Sequence, residues 1–291
     1  MVDIVPPATA ASNSGPAFES ERGAALGIAV AVAQFRPSVD QGENLEVMRS
    51  LTTTAVPRGA QLIVFPEYSA FFEPTMGPSF VAAAQPLDGP FVSALGALAA
   101  DLGVYVVAGM LEVTHDANRF SNTLVAMSPT GELVAKYRKL HVYDAFGDRE
   151  SRWVLAGPIE APETFEVAGL TVGLQTCYDI RFPEVTRRLV DAGADLVLVP
   201  SEWVRGPLKE QHWRTLVTAR ALENTIYVAA ADHTPPIGVG NSMVVDPMGV
   251  ELVTIGEMTD VAVAWVSAAR IAAVRAVNPA LALRRFSVVE R

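Results

Sequence analysis

The sequence predicts an α/β protein built from two related halves, their sheets packed face to face with helices outside. Three observations carry this expectation. Short β-branched or apolar runs bounded by Gly and Pro alternate with longer Ala/Leu/Arg segments, the pattern of a buried sheet flanked by helices. Four segments then recur in the same order at a spacing of about 130 residues, too long for a solenoid repeat. GIAVAVAQF resembles GLTVGLQTC, AQLIVFP resembles ADLVLVP, VYVVAG resembles IYVAAA, and NTLVAMSPTGELV resembles NSMVVDPMGVELV. Finally, 50% of the 291 residues are hydrophobic and 19% charged, with mean hydropathy +0.28. That is too apolar for a disordered chain and sufficient for a large core.

Taken in order, residues 1–26 are rich in Pro, Ser, Ala and Gly, without the basic and apolar stretches of a secretion signal. They predict a flexible leader, with a single domain over 27–291. Apolar runs predict strands at Ile28 to Gln34, Leu62 to Phe65, Val104 to Gly109, Thr123 to Met127 and Leu133 to Tyr137 in the first half. The second half repeats them at Thr171 to Gln175, Leu196 to Val199, Ile226 to Ala230, Ser242 to Val245 and Glu251 to Ile255, with a further strand at Val261 to Trp265. Helices are expected at Asn44 to Ala55, Phe91 to Leu102, Phe182 to Ala192 and Lys209 to Asn224. The turn sequences SPTG (128–131) and DPMG (246–249) lie between alternating runs and predict two hairpins.

Composition excludes several functions. Lys and Arg number 22 against 32 Asp and Glu, a net charge of −10, which offers no basic footprint for nucleic acid or anionic lipid. Cys177 is the only cysteine, so no intrachain disulfide can form, and a reducing, cytoplasmic setting is expected. The longest apolar runs reach about ten residues, short of the roughly 20 that span a bilayer. Neither a GxSxG elbow nor a GxxxxGK[ST] phosphate loop is present, and GVGNSM (238–243) places Met243 where a dinucleotide fingerprint needs its third Gly. His115, His141, His212 and His233 lack metal-binding spacing. No metal or cofactor is expected.

In an α/β sheet, reactive groups collect where strands end and side chains face a cleft. Three such exits carry Pro66-Glu67-Tyr68, Tyr137-Arg138-Lys139-Leu140-His141 and Thr176-Cys177-Tyr178-Asp179. Singly, Glu67 reads as a turn residue, Lys139 as part of a solvated basic face and Cys177 as a small buried hydrophobe. Together they supply a base, an electrostatic stabiliser and a nucleophile, the set that acyl transfer requires.

FPEY (65–68), KYRKLH (136–141) and CYDIRFPE (177–184) resemble, in order and spacing, the three signature motifs of the nitrilase superfamily of carbon–nitrogen hydrolases. The similarity runs from about Gly27 to Arg285, with supporting matches in RESRWVLAG, NSMVVDPMG and VRAVNPALALRRF. It implies a four-layer αββα sandwich and a Glu67-Lys139-Cys177 triad acting on nonpeptide amide, carbamoyl or nitrile bonds. Tyr178-Asp179 after the cysteine resembles the amidase branch, with its ω-amidases and deaminated-glutathione amidases, whereas nitrilases usually carry Trp-Glu there and N-carbamoyl hydrolases Asn. By the same resemblance Glu150 positions substrate and lysine, and the Tyr178 backbone N–H joins Lys139 at the oxyanion. A homo-oligomer is also implied, with 278–291 crossing to a partner copy.

The implied reaction converts a small carboxamide to carboxylate and ammonia through a Cys177 thioester. N-carbamoyl hydrolase, nitrilase or an idle scaffold of the same fold are the alternatives. Asp179, Arg181 and Glu184 are expected to brace the turn after the nucleophile. Tyr68, His141 and Trp203 are candidate pocket walls. One departure stands out: related amidases show Pro-Ser-Ala-Phe where this chain has Pro200-Ser201-Glu202-Trp203. Because the preceding strand matches the one ending at Glu67, Glu202 would reach the same cleft and there repel anionic substrates. Its other placement is outward, in solvent or paired with Arg205.

Overall fold

A computed structural model describes residues 27–290; the leader expected at 1–26 lies outside them. The strands are β1 (Ile28–Gln34), β2 (Ala60–Val64), β3 (Tyr105–Val113), β4 (Phe120–Met127), β5 (Leu133–Arg138), β6 (Thr164–Val167), β7 (Leu170–Leu174), β8 (Leu196–Pro200), β9 (Tyr227–Ala231), β10 (Met243–Val245), β11 (Glu251–Thr254) and β12 (Asp260–Val266). The α-helices are α1 (Gln41–Ala55), α2 (Pro78–Ala83), α3 (Pro90–Leu102), α4 (Pro183–Asp191), α5 (Lys209–Asn224) and α6 (Ala268–Val277).

Two six-stranded sheets form, in the orders β12-β1-β2-β3-β4-β5 and β11-β10-β9-β8-β7-β6. Three parallel strands lie at the centre of each, β1-β2-β3 and β7-β8-β9. An antiparallel pair follows on one side, and one antiparallel strand closes the other. The two halves are therefore topologically equivalent, as the repeat predicts. They differ in how the closing strand arrives: β6 is a hairpin neighbour of β7, whereas β12 returns from the end of the second half to pair with β1 along Ile28↔Val266 to Gln34↔Asp260.

Because side chains alternate across a strand, each apolar run feeds two cores. Leu196 and Leu198 face Val30, Val32, Leu62 and Val64 between the sheets. Val197 and Val199 point the other way, against Trp213, Val217 and Ala221 of α5 and Leu189 of α4. On the first sheet, Ala31, Ile63 and Val106 pack outward against Met48 and Leu51 of α1 and Phe91 and Leu95 of α3. Helix, sheet, sheet and helix thus make four layers. Each fully buried Val or Leu contributes on the order of 2 kcal/mol.

Both predicted hairpins are present, closed by Gly131 N–H to Ser128 O and Gly249 N–H to Asp246 O, each at 2.9 Å. The sequence expectation is short at several places. β3 continues past Gly109 to Val113 and β4 begins at Phe120, because Glu112, Ser121 and Asn122 are polar yet buried. β6, α2 and α6 were not expected; α2 has one buried residue, Phe80, and α6 two, Ile271 and Val274, one turn apart, too few to mark a helical period in the sequence. Among the described residues no helix is long and apolar enough to cross a membrane.

Candidate active site

The site is built where strands end. After β2, Phe65 N–H still bonds to Val107 O at 2.8 Å; the chain then turns, with Tyr68 in the left-handed region at φ 58°. β3 permits this through Gly109, where a Cβ would lie 2.5 Å from Tyr68 N and 2.9 Å from Glu67 Cα. After β7, Cys177 also adopts positive φ, 43°, at the start of a 3₁₀ turn over Cys177–Arg181. Such a conformation costs a non-glycine residue about 1–3 kcal/mol and persists only where neighbours impose it. Asp179 does so, accepting from Thr176 N–H at 3.2 Å, Tyr137 O–H at 2.8 Å and His141 N–H at 2.9 Å. The turn is thereby tied to the exit of β5, where Lys139 N–H bonds to Asn122 O at 2.9 Å.

These exits converge on a cavity of about 540 Å³ lined by Glu67, Lys139, Glu150, Cys177 and Tyr178, within the usual range for small-molecule sites. Lys139 Nζ lies 2.9 Å from Glu67 Oε1 and 3.0 Å from Glu150 Oε1. Glu67 Oε1 also accepts from Asn122 Nδ2 at 2.5 Å, and its Oε2 from Glu202 N–H at 2.7 Å. Glu150 accepts from Tyr68 O–H at 2.6 Å and from the Tyr143 N–H. The Cys177 thiol donates to Glu202 O at 3.5 Å.

Burial, opposed by Lys139, pushes the Glu67 carboxyl above the usual range and so makes its carboxylate a stronger base. Burial alone would lower Lys139; Glu150 and Glu67 outweigh it and hold the ammonium well above its ordinary value. The Cys177 thiol is pushed well up by burial and by Glu67, against Lys139, so it rests protonated and needs a base before it can attack.

Tyr68, Glu202 and Trp203 line the cavity. His141 does not: it stacks on Phe182 with centroids 3.6 Å apart and its Nδ1 lies 2.8 Å from Asp179, so it braces the turn instead of walling the pocket. Arg205 pairs with Glu257 at 3.0 Å, leaving Glu202 in the cavity. Burial, then Glu67 and Asp232, raise the Glu202 carboxyl well above its normal value.

Sequence reasoning missed four groups. Asn122, a buried amide inside β4, joins Glu67 to the β5 exit, and Lys209, at the start of α5, reaches the cavity. Asp232 Oδ1 accepts from Trp203 N–H at 2.6 Å, and His233 Nε2 lies 2.7 Å from Glu67 O. The only signal was polarity next to apolar runs. Among the described residues no group of three His, Cys, Asp or Glu is arranged to hold a metal ion.

Two six-stranded sheets with helices outside, and a thiol, an ammonium and carboxylates gathered at the strand ends, define the nitrilase class of α/β sandwich. The carbon-nitrogen hydrolase family matches residues 29–276, and the chain belongs to that family. It is 40% identical over 260 residues to the deaminated glutathione amidase of Escherichia coli O157:H7, covering 89% of this chain and 97% of that protein. It is 29% identical to Omega-amidase NIT2 of Xenopus tropicalis, over 90% and 98% of the two chains. Among solved structures, an amidase of Nesterenkonia sp. AN1, with acrylamide added to its active-site cysteine, superposes with TM-score 0.72 at 27% identity, over 88% and 100%.

Proposed function

We propose that the protein hydrolyses a small nonpeptide carboxamide to carboxylate and ammonia through a thioester on Cys177. The observation that carries this reading is the Lys139 ammonium held between Glu67 and Glu150 in the same cavity as the only cysteine. Glu67 takes the Sγ proton as the sulfur attacks the amide carbon, and the carbonyl becomes an oxyanion facing Lys139 and the Tyr178 N–H. The tetrahedral centre collapses, the C–N bond breaks, and the proton on Glu67 leaves with ammonia. Water, deprotonated by Glu67, then attacks the thioester; the C–S bond breaks, the acid departs and the thiol regains its proton. Glu150 acts through Lys139 and the Tyr68 hydroxyl, as a positioning residue. The names of the amidase relatives, and the cysteine adduct in the Nesterenkonia enzyme, support the same chemistry.

Ammonia release from a panel of amides, carbamoyl compounds and nitriles separates this reading from an N-carbamoyl hydrolase, a nitrilase or an idle scaffold. Cys177→Ala is expected to abolish turnover with the fold intact, and a slow amide to leave an acyl mass on the Cys177 peptide of the wild type. An active Ala variant, or an adduct on another residue, excludes the mechanism.

A further inference from the structure

Glu202 is fixed by its backbone and free at its side chain. Its N–H donates to Glu67 Oε2 at 2.7 Å and its carbonyl accepts from the Cys177 thiol at 3.5 Å, so the residue stands beside both reacting groups. It is partly buried in the turn after β8 and lines the cavity. Among the described residues its carboxyl accepts no hydrogen bond and forms no ion pair. Glu67 and Glu150, in the same cavity, are both satisfied: each pairs with Lys139 Nζ, at 2.9 and 3.0 Å, and each accepts a further bond, from Asn122 and from Tyr68.

A carboxyl enclosed without a donor is costly to ionise. Burial, then Glu67 and Asp232, push the Glu202 pKa well up; Lys139 opposes the rise and Glu150 adds to it. Three acids against one ammonium make the local field negative, a field that attracts an entering cation. The other cations near the cavity do not compensate Glu202. Lys209 Nζ donates to the Tyr143 hydroxyl at 2.6 Å and lies 3.9 Å over the Phe146 ring, and the Arg181 guanidinium lies 4.9 Å over Trp203; among the described residues neither pairs with Glu202. An ammonium carried in by a substrate brings three donors and a positive charge to the acid that lacks both. As it arrives, the carboxyl releases its proton to solvent, and the ion pair forms where low dielectric strengthens it.

We propose that Glu202 is a specificity-determining residue that binds a protonated amine of the substrate, beside the amide whose carbonyl lies at Cys177. The inference deepens the amidase reading and rests on it for the identity of the reacting bond. Because the Glu202 backbone touches the thiol, the amine lies only a few bonds from the amide. The substrate class is a short aminoalkyl carboxamide, for which a cavity of about 540 Å³ is ample.

The probes are γ-aminobutyramide and valeramide, its neutral isostere, in which a methyl group replaces the ammonium. Wild-type kcat/KM should favour γ-aminobutyramide by at least about tenfold. Glu202→Gln, which keeps the shape and removes the charge, should lower that ratio at least about tenfold, chiefly through KM, while Glu202→Asp keeps its direction. Glu202→Ala is a second variant should the Gln protein fail to fold. A second measurement needs no turnover: butylammonium should protect Cys177 from iodoacetamide, with the half-protecting concentration rising at least about tenfold in Glu202→Gln. If neither amide is hydrolysed but protection depends on Glu202, the amidase reading fails and the cation subsite stands. If valeramide is the better substrate, or if substitution alters neither ratio nor protection, the inference is overturned, and the amidase reading survives wherever ammonia is released.

Discussion

Lys139 touches both buried carboxylates of the site, so its removal does more than delete one donor. Lys139→Met takes away the oxyanion's cation and leaves Glu67 and Glu150 facing one another uncompensated, a state in which one must bind a proton. Lys139→Met and Glu67→Gln are each expected to lower kcat/KM by at least about two orders of magnitude. Normal turnover in either variant excludes its assigned role. His233 gives a prediction in stability. Burial lowers its pKa from 6.5 to about 4, so between those values the unfolded chain binds a proton that the native protein does not. Native stability therefore falls as pH drops from 6.5, by about 3 kcal/mol at pH 4 for this group. His233→Gln keeps a donor for Glu67 O but does not titrate. Its unfolding free energy relative to wild type should accordingly rise by about that amount between pH 7 and pH 4 in urea titrations. A pH-independent difference rejects the assignment.

At the level of elements, the β2 exit depends on β3 having no side chain at Gly109. The atoms a methyl group would meet are backbone, Tyr68 N and Glu67 Cα, and neither can rotate away. Gly109→Ala should therefore destabilise the protein by about 1–3 kcal/mol and, by moving Glu67, reduce turnover more than stability alone explains. Unchanged melting and activity together show that the exit can shift without cost. The same geometry explains what the sequence made legible. Glu67 and Cys177 stand just beyond apolar runs and Lys139 just beyond an alternating one, so composition marks where each strand stops and the cleft starts. The match between β2 and β8 left Glu202 two placements, inward or outward, and only the fold shows it lining the cavity. Asn122 was hidden because it lies within β4, where a polar residue looks like a strand boundary. Lys209 was hidden for a different reason: Lys-Glu-Gln-His opens α5 and reads as a solvated turn, and only the rings of Tyr143, Phe146 and Trp203, distant in sequence or across a loop, cover it. The raised pKa of Glu202 was not legible because it depends on burial, then on Glu67 and Asp232, which come near it only in the fold.

In the whole molecule the halves are equivalent except in how each sheet is closed, and the chain after β12 belongs to neither sheet. The buried apolar core ends at Val274 and the family match at residue 276. Among the described residues no further strand or α-helix forms beyond α6, and Leu283, Phe286 and Val289 are 71%, 92% and 79% exposed. The segment is nevertheless anchored, by Arg284 to Asp191 at 2.6 Å on α4. Three large apolar side chains held on a fixed surface mark an interaction site more often than a free one. We propose that residues 278–291 cover a second copy of the chain, so that the protein is at least a homodimer. Deleting 279–291 should then convert the oligomer to monomer in sedimentation velocity. It should shift the monomer's own melting by no more than a few degrees, since no core contact is removed. Phe286→Ser should weaken association without the deletion. Loss of β12 is a contrasting case, because it strips seven paired residues from β1 and opens the first sheet to water, and a chain ended at 259 should not fold. If the chain lacking 279–291 sediments as the wild type does, the tail is not the interface, and the exposed side chains require another occupant.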